Sequence, residues 1–155
     1  MAAGLIDFLD PNAIELQSDA TTNEEIIRIL AGKLEKLGYV KPSYADAVVS
    51  RELSMPTGLP LELEKNVAVP HTDPEHVLKA GIAFATLKSP VEFANMEDPD
   101  EAVAVGYVFL LAINDKDKQI ETLQQIMATI QDPDALERLM AARSFEDIQT
   151  ALNKQ

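Results

Sequence analysis

The stretch Asn66-Val67-Ala68-Val69-Pro70-His71-Thr72-Asp73 places a histidine directly after a short run of β-forming residues. Val67 and Val69 favour a buried, pleated strand. Pro70 has no N–H and a fixed φ, so we expect regular strand pairing to stop near it. A histidine at such a strand end is held by the sheet while its ring still reaches solvent, and its ring nitrogens are nucleophiles near neutral pH.

The residues around His71 leave two interpretations open. The first is a functional nucleophile, and the second is a strand-end side chain that only makes a local hydrogen bond. The other histidine, His76, does not form an H-E-x-x-H pair with it, and the chain has no cysteine. A zinc site would have to recruit carboxylates, and no Walker loop, G-x-S-x-G or dinucleotide glycine pattern is present. We therefore expect neither a metal nor a cofactor.

Length and charge narrow the function further. The 155 residues carry 26 acidic and 13 basic side chains, a net charge of −13, and 46% are hydrophobic. This composition is typical of one globular domain, 1–155, and argues against nucleic acid or an anionic membrane surface as the partner. It fits a basic protein partner or simple solubility. No apolar run reaches the ~20 residues of a membrane span, and no signal peptide is visible, so we expect a cytoplasmic protein.

Strand and helix patterns alternate along the chain. A capping box at Thr22-Asn23-Glu24-Glu25 begins a helix that Gly38 ends. Further helices are predicted over 42–53, after Asp115, after Asp132-Pro133 and from Ser144, the one after Asp115 with an apolar stripe of Ile120, Leu123, Ile126, Met127 and Ile130. Strands are predicted at 13–16, 67–71, 82–87, 91–93 and 102–113. The alternation indicates an α/β layered domain with a largely buried sheet.

An arginine adds to the chemistry that His71 offers. Arg51 lies near the end of the second helix, just before the loop Met55-Pro56-Thr57-Gly58-Leu59-Pro60. A planar guanidinium binds phosphate oxygens in pairs, and phosphoryl transfer depends mostly on positioning and electrostatics. The alternative is a surface arginine favoured by the helix dipole. Taken alone, Arg51 favours the second interpretation, a surface residue.

Taken together, several motifs resemble the enzyme IIA domain of the sugar phosphotransferase system, in its fructose/mannitol superfamily, with the galactitol-type branch most similar. The motifs are Arg51-Glu52, Pro56-Thr57-Gly58-Leu59, Val67-Ala68-Val69-Pro70-His71-Thr72-Asp73, Pro90-Val91-Glu92-Phe93, Val108-Phe109-Leu110-Leu111-Ala112 and Gln119-Ile120-x₂-Leu123. The likeness covers about residues 5–152. It implies a mixed, mostly parallel sheet of about five strands flanked by helices.

The resemblance also implies a function. His71 would accept a phosphoryl group from the histidine-phosphocarrier protein HPr, on Nε2, and pass it to enzyme IIB for sugar uptake through the membrane component IIC. Arg51 would hold the phosphoryl oxygens, and Thr57 would line the pocket. Gln119 stands where many relatives have a second active-site histidine, and its amide can donate a hydrogen bond but cannot become cationic. His76 does not replace that histidine by position and is expected at the surface.

Two other functions stay open. Domains of this superfamily also act as regulatory modules whose phosphorylation state controls another protein. A non-catalytic binding domain is the third possibility, but it has no need for His71, Arg51 and the Pro-Thr-Gly-Leu loop together. The sequence does not indicate the sugar or the oligomeric state, and Met55 and Leu59 are candidates either for an interface or for the core.

Overall fold

The computed structural model describes residues 8–60 and 66–153. The predicted absence of a signal peptide concerns residues 1–7 and lies outside this part. The strands are β1 Leu9–Ser18, β2 Gly58–Leu59, β3 Asn66–Ala68, β4 Gly81–Ala94 and β5 Ala102–Ala112. The helices are α1 Asn23–Lys36, α2 Tyr44–Ser54, α3 Lys116–Ile130, α4 Pro133–Ala141 and α5 Phe145–Asn153, with a 3₁₀ turn at Pro74–His76.

The five strands form one mixed sheet in the order β1-β4-β5-β3-β2. Strands β1 and β4 pair in parallel, as do β3 and β5, whereas β4–β5 and β2–β3 are antiparallel. The predicted mixed sheet flanked by helices is therefore confirmed. Because β3 and β5 run in the same direction, their carboxyl ends lie at the same edge of the sheet.

The sheet is covered on both faces, as the alternation of β4 shows. Ala83 and Ala85 belong to a core that α1 and α2 cover with Ile26, Ile27, Leu30, Leu34 and Val48. Ile82 and Phe84 belong to the opposite core, which α3, α4 and α5 cover with Ile126, Ile130, Leu136, Leu139 and Ile148. The result is a three-layer arrangement of helices, sheet and helices.

Local signals set the helix boundaries as predicted. The Thr22 side chain accepts a hydrogen bond from the Glu25 N–H at 3.1 Å, and Gly38 follows α1 with a φ of 85°, a conformation that favours glycine. Asp115 caps α3 in the same way, accepting from the N–H of Asp117 at 2.8 Å. These caps satisfy N–H groups that have no partner within the helix.

Three of the predicted strands are wrong in detail. Segments 82–87 and 91–93 are parts of one strand, β4, whose register with β5 shifts between Thr86 and Val91. The exposed Pro90 lies in that irregular stretch, where no ladder N–H is needed. The strand predicted at 67–71 ends at Ala68, although the Leu111 N–H still donates to the Pro70 carbonyl at 3.0 Å.

The apolar stripe predicted for α3 is also partly wrong. Ile126 and Ile130 are buried, but Ile120 is 57% and Met127 41% exposed. Helical spacing places residues on one face, yet only the C-terminal part of that stripe, with Ile126 and Ile130, belongs to the core. No helix in the described ranges is long and apolar enough to cross a bilayer.

Candidate functional site

The site lies where β3 and β5 end. His71 follows β3 by three residues, and the hydrogen bond from Leu111 to Pro70 attaches this segment to the end of β5. Helix α3 begins four residues after β5, so its first turn is at the same edge of the sheet. The segment with His71 and the first turn of α3 therefore lie at one edge of the sheet.

The imidazole of His71 is held by its own backbone. Its Nδ1 lies 2.8 Å from the carbonyl oxygen of Val69, and the ring is partly buried. Because a carbonyl can only accept, Nδ1 carries the proton in this hydrogen bond. The lone pair of the neutral ring is then on Nε2, which is the nucleophilic nitrogen.

The surroundings keep His71 neutral. Burial lowers the pKa of His71 below its ordinary value, and the nearby Arg51 guanidinium lowers it further, while the Val69 hydrogen bond and Asp73 act in the opposite direction. A lowered pKa leaves the imidazole uncharged at neutral pH, so its lone pair is available.

Arg51 approaches the site from the carboxyl end of α2. Its Nη1 lies 3.5 Å from Oδ1 of Asp73, two residues after His71, in a partly exposed ion pair. Its Nε is buried and has no hydrogen-bond partner among the described residues. An N–H in that state can bind an incoming anionic oxygen, which the predicted role of Arg51 requires.

Gln119 lies at the beginning of α3, where its backbone N–H donates to Asp115 at 2.9 Å. Its Oε1 is buried and, within the described residues, unpaired. Since a half-turn of the amide exchanges Oε1 and Nε2, the same position can present an N–H. Gln119 thus lies in the first turn of the helix that follows β5, and its direct part in binding a phosphoryl oxygen stays a prediction.

Thr57 lies in the loop before β2 and is 3% exposed. Its N–H and its hydroxyl donate to the two carboxylate oxygens of Glu52, at 2.9 and 2.8 Å. The hydroxyl is therefore committed to Glu52, and a direct part for Thr57 in the pocket stays a prediction.

Sequence reasoning gave no role to Glu52 or to Asp73. Glu52 is 6% exposed, and burial raises its pKa to about 6 although the Thr57 hydrogen bonds oppose the change. A signal was present: Tyr44, Val48 and Glu52 recur every four residues and form the buried stripe of α2. An acid in register with a core stripe indicates a specific partner.

The remaining candidate residues differ in how exposed their side chains are. His76, expected at the surface, has a side chain only 24% exposed, with Nδ1 2.8 Å from the hydroxyl of Ser43. Met55 is 57% exposed, whereas Leu59 is buried at 8%. In the described part of the chain no three His, Asp or Glu residues are grouped to hold a metal ion.

Known proteins resemble this chain over most of its length. A mannitol-specific EIICBA component from Vibrio cholerae is 32% identical over 147 residues, 93% of the chain but only 21% of that protein. A galactitol-specific EIIA component from Escherichia coli K12 is 28% identical over 75% of the chain and 76% of its own length. The transcriptional regulator ManR of Bacillus subtilis is 32% identical over 74% of the chain and 16% of the regulator.

A solved structure agrees. In the complex of enzyme IIA mannitol with phosphorylated enzyme IIB mannitol from Escherichia coli, a chain is 30% identical, with a TM-score of 0.76 over 95% of this chain and 98% of that one. Mannitol and galactitol relatives are similarly related, so the galactitol branch stays a prediction. The family described as "Phosphoenolpyruvate-dependent sugar phosphotransferase system, EIIA 2" matches residues 7–155. The chain belongs to this family.

Proposed function

We propose that this protein is a phosphocarrier that accepts a phosphoryl group from phospho-HPr on Nε2 of His71 and passes it to an enzyme IIB. The observation that carries the proposal is the 2.8 Å hydrogen bond from Nδ1 of His71 to the Val69 carbonyl. It occupies one ring nitrogen with a proton and leaves the other as a partly exposed nucleophile.

The phosphoryl transfer needs no reactant besides the donor's phosphohistidine and the His71 ring. The lone pair of Nε2 attacks phosphorus, and the bond from phosphorus to the donor's histidine nitrogen breaks, returning its electron pair to that nitrogen. The His71 ring keeps its Nδ1 proton and gains positive charge, so the bond to Val69 becomes charge-assisted. The second transfer reverses these steps toward the acceptor side chain of enzyme IIB.

Arg51 and Gln119 would hold the phosphoryl oxygens. Nε of Arg51 and Oε1 of Gln119 are both buried and have no hydrogen-bond partner in the described residues. A guanidinium neutralises charge on the transferred group, and an amide N–H adds a directed hydrogen bond. Thr57 contributes at most through its loop, because its donors bind Glu52.

The wider assignment rests on the relatives. We propose a cytoplasmic protein in which residues 1–155 form one domain of this type and whose enzyme IIB partner works with a membrane IIC component. A galactitol-like sugar alcohol is the proposed substrate of that system, supported by the motif set. The net charge of −13 would attract a basic donor and speed encounter.

The deciding experiment uses phosphoenolpyruvate, enzyme I and HPr with radiolabelled phosphate. Wild type and His76→Ala should both acquire an acid-labile, base-stable phosphate, and His71→Ala should acquire none. His76→Ala is the matched control because it removes the other imidazole. Unlabelled wild type in the presence of competent HPr, or normal labelling of His71→Ala, would overturn the proposal.

A regulatory module is the second candidate, favoured by the similarity to the regulator ManR. Chemistry at His71 is the same in both cases, so only the next recipient differs. Labelled protein should transfer its phosphate to a cognate enzyme IIB in a reconstituted relay if it serves transport. Retention of the phosphate in that relay, with altered binding to a protein partner, would support regulation instead.

A further inference from the structure

Glu52 is buried beside the site but does not point a free carboxylate into it. It is 6% exposed, and both its oxygens accept hydrogen bonds from Thr57. Burial of a carboxylate is costly, and neutralisation by a proton is the usual response. A buried carboxylate directly after Arg51 in the sequence therefore indicates a specific structural role.

Hydrogen bonds lead from this carboxylate to the histidine. Glu52 accepts from the N–H and hydroxyl of Thr57. The Thr57 carbonyl accepts from the Val69 N–H at 3.4 Å, the longest link, and the Val69 carbonyl accepts from Nδ1 of His71 at 2.8 Å. The series of hydrogen bonds is continuous. It passes through Val69 by way of the backbone N–H and the carbonyl of that residue.

The link from Thr57 to Val69 belongs to the sheet. In the antiparallel pair of β2 and β3, Gly58 is opposite Ala68 and Leu59 is opposite Val67. Thr57 and Val69 are the next pair in the same register. The position of Thr57 therefore sets the direction in which the Val69 carbonyl points.

The loop is confined on its other side by β4. A Cβ on Gly58 would lie 2.6 Å from the Ala94 carbonyl oxygen, and the Met96 N–H donates to the Gly58 carbonyl at 2.8 Å. Because these contacts prevent the loop from moving toward β4, the two hydrogen bonds to Glu52 fix its position from the side of α2.

We propose that Glu52 is a positioning residue for His71, acting through Thr57 and Val69 to keep the ring in the Nδ1–H tautomer and Nε2 as the nucleophile. The importance of Nε2 rests on the proposed function, but the effect on the tautomer does not. Without the two hydrogen bonds from Thr57 to Glu52, the Val69 carbonyl loses its fixed direction. The His71 ring is then free to turn or to move its proton to Nε2.

The test is ¹⁵N NMR of the free protein, which distinguishes the two tautomers of His71, assigned by comparison with His71→Ala. Glu52→Ala should raise the ratio of the Nε2–H to the Nδ1–H form about fivefold, the effect of losing one ordinary hydrogen bond. Thr57→Val should move it in the same direction. Glu52→Gln and Thr57→Ser, which can keep the links, should resemble wild type.

Val48→Ala is the matched control. Val48 lies one turn earlier on the same buried stripe of α2 and is fully buried, so its truncation weakens the helix without touching Thr57. It should leave the tautomer ratio unchanged. Phosphorylation by phospho-HPr should slow in Glu52→Ala and Thr57→Val in proportion to the fraction of His71 that leaves the Nδ1–H form, and recover in Glu52→Gln.

A wild-type ratio in both Glu52→Ala and Thr57→Val would overturn the inference, as would an equal shift in Val48→Ala. If Glu52→Ala does not fold, Thr57→Val against Thr57→Ser decides alone. A shifted tautomer in a protein that phospho-HPr never labels would keep the positioning role and refute the proposed function.

Discussion

The hydroxyl of Tyr44 donates a hydrogen bond of 2.6 Å to the carbonyl of Leu111. Tyr44 is fully buried at the start of α2, and Leu111 lies at the end of β5. The N–H of Leu111 donates to Pro70, so this one residue connects the helix that carries Arg51 with the segment that carries His71. The spacing between guanidinium and imidazole therefore depends on a contact outside the site.

Tyr44→Phe should lower the free energy of unfolding by about 1–2 kcal/mol, since it removes a buried hydrogen bond. It should also slow phosphoryl transfer. Tyr107→Phe is the control, because its hydroxyl donates to Leu136 at 3.1 Å and has no link to α2. Urea unfolding and single-turnover labelling measure the two effects. Equal slowing in both variants would contradict the connection.

His71 should titrate with a midpoint below the ordinary value of 6.5, because burial lowers its pKa. Phosphorylation should therefore be insensitive to pH above that value and decline as the pH falls through the lowered pKa, where the lone pair of Nε2 is lost to a proton. NMR titration of the ring gives the midpoint directly. A midpoint at or above 6.5 would show that the surroundings do not favour the neutral ring.

Arg51→Lys should reduce the transfer rate about tenfold or more, because an ammonium cannot replace the planar set of N–H donors. Its charge is retained, so a purely electrostatic role predicts little change. Rapid-quench labelling from phospho-HPr distinguishes the two. Asp73→Asn is an informative partner variant, since it removes the charge that lies 3.5 Å from Nη1 without removing a donor.

Gln119→Ala should slow transfer by several-fold, as expected for the loss of one hydrogen bond to a phosphoryl oxygen. Gln119→Glu should slow it more, because a carboxylate repels the phosphoryl group. Gln119→His introduces the imidazole that the resemblance to this superfamily implies for many relatives at this position, and it should support transfer. Single-turnover labelling checks all three. Identical rates for Ala, Glu and wild type would remove Gln119 from the site.

Glu52→Gln should become more stable relative to wild type as the pH rises. The pKa of Glu52 is raised to about 6, so the folded protein binds this proton more tightly than the unfolded chain does. The corresponding stability is fully present below about 4.5, the ordinary value, and is lost as the pH rises through 6. The difference between the two proteins should change by about 2 kcal/mol between pH 4.5 and pH 7. A difference independent of pH in urea unfolding would contradict the raised pKa.

Local chemistry explains why much of the fold was predictable. A capping threonine, a glycine with positive φ and the run of apolar residues in β5 each act through neighbours in sequence. The motif set also located His71 and Arg51 on the segments that the structure brings together. The continuity of β4 was missed because Ser89-Pro90 resembles a strand end, and only pairing with β5 shows that the chain continues through it.

The parts that were missed depend on contacts between distant or differently folded segments. Helical spacing identifies the stripe containing Ile120, but not how far the sheet extends beneath it. The link from Glu52 to Thr57 joins a helix to a loop across a chain reversal, so no periodicity reports it. Its one trace in the sequence is the position of Glu52 in register with Val48 and Tyr44.

The pairing of β4 with β5 has a consequence for the order of assembly. These two long strands are neighbours in sequence and are joined by only seven residues, 95–101, so closing the hairpin costs little chain entropy. The site, in contrast, requires α2, β3 and α3 to dock on a completed sheet. We expect the hairpin to form first and to open last. Amide exchange should then show strong protection in β4 and β5 and weaker protection around His71, so that a partly unfolded molecule loses its phosphate-accepting geometry while most of its sheet survives.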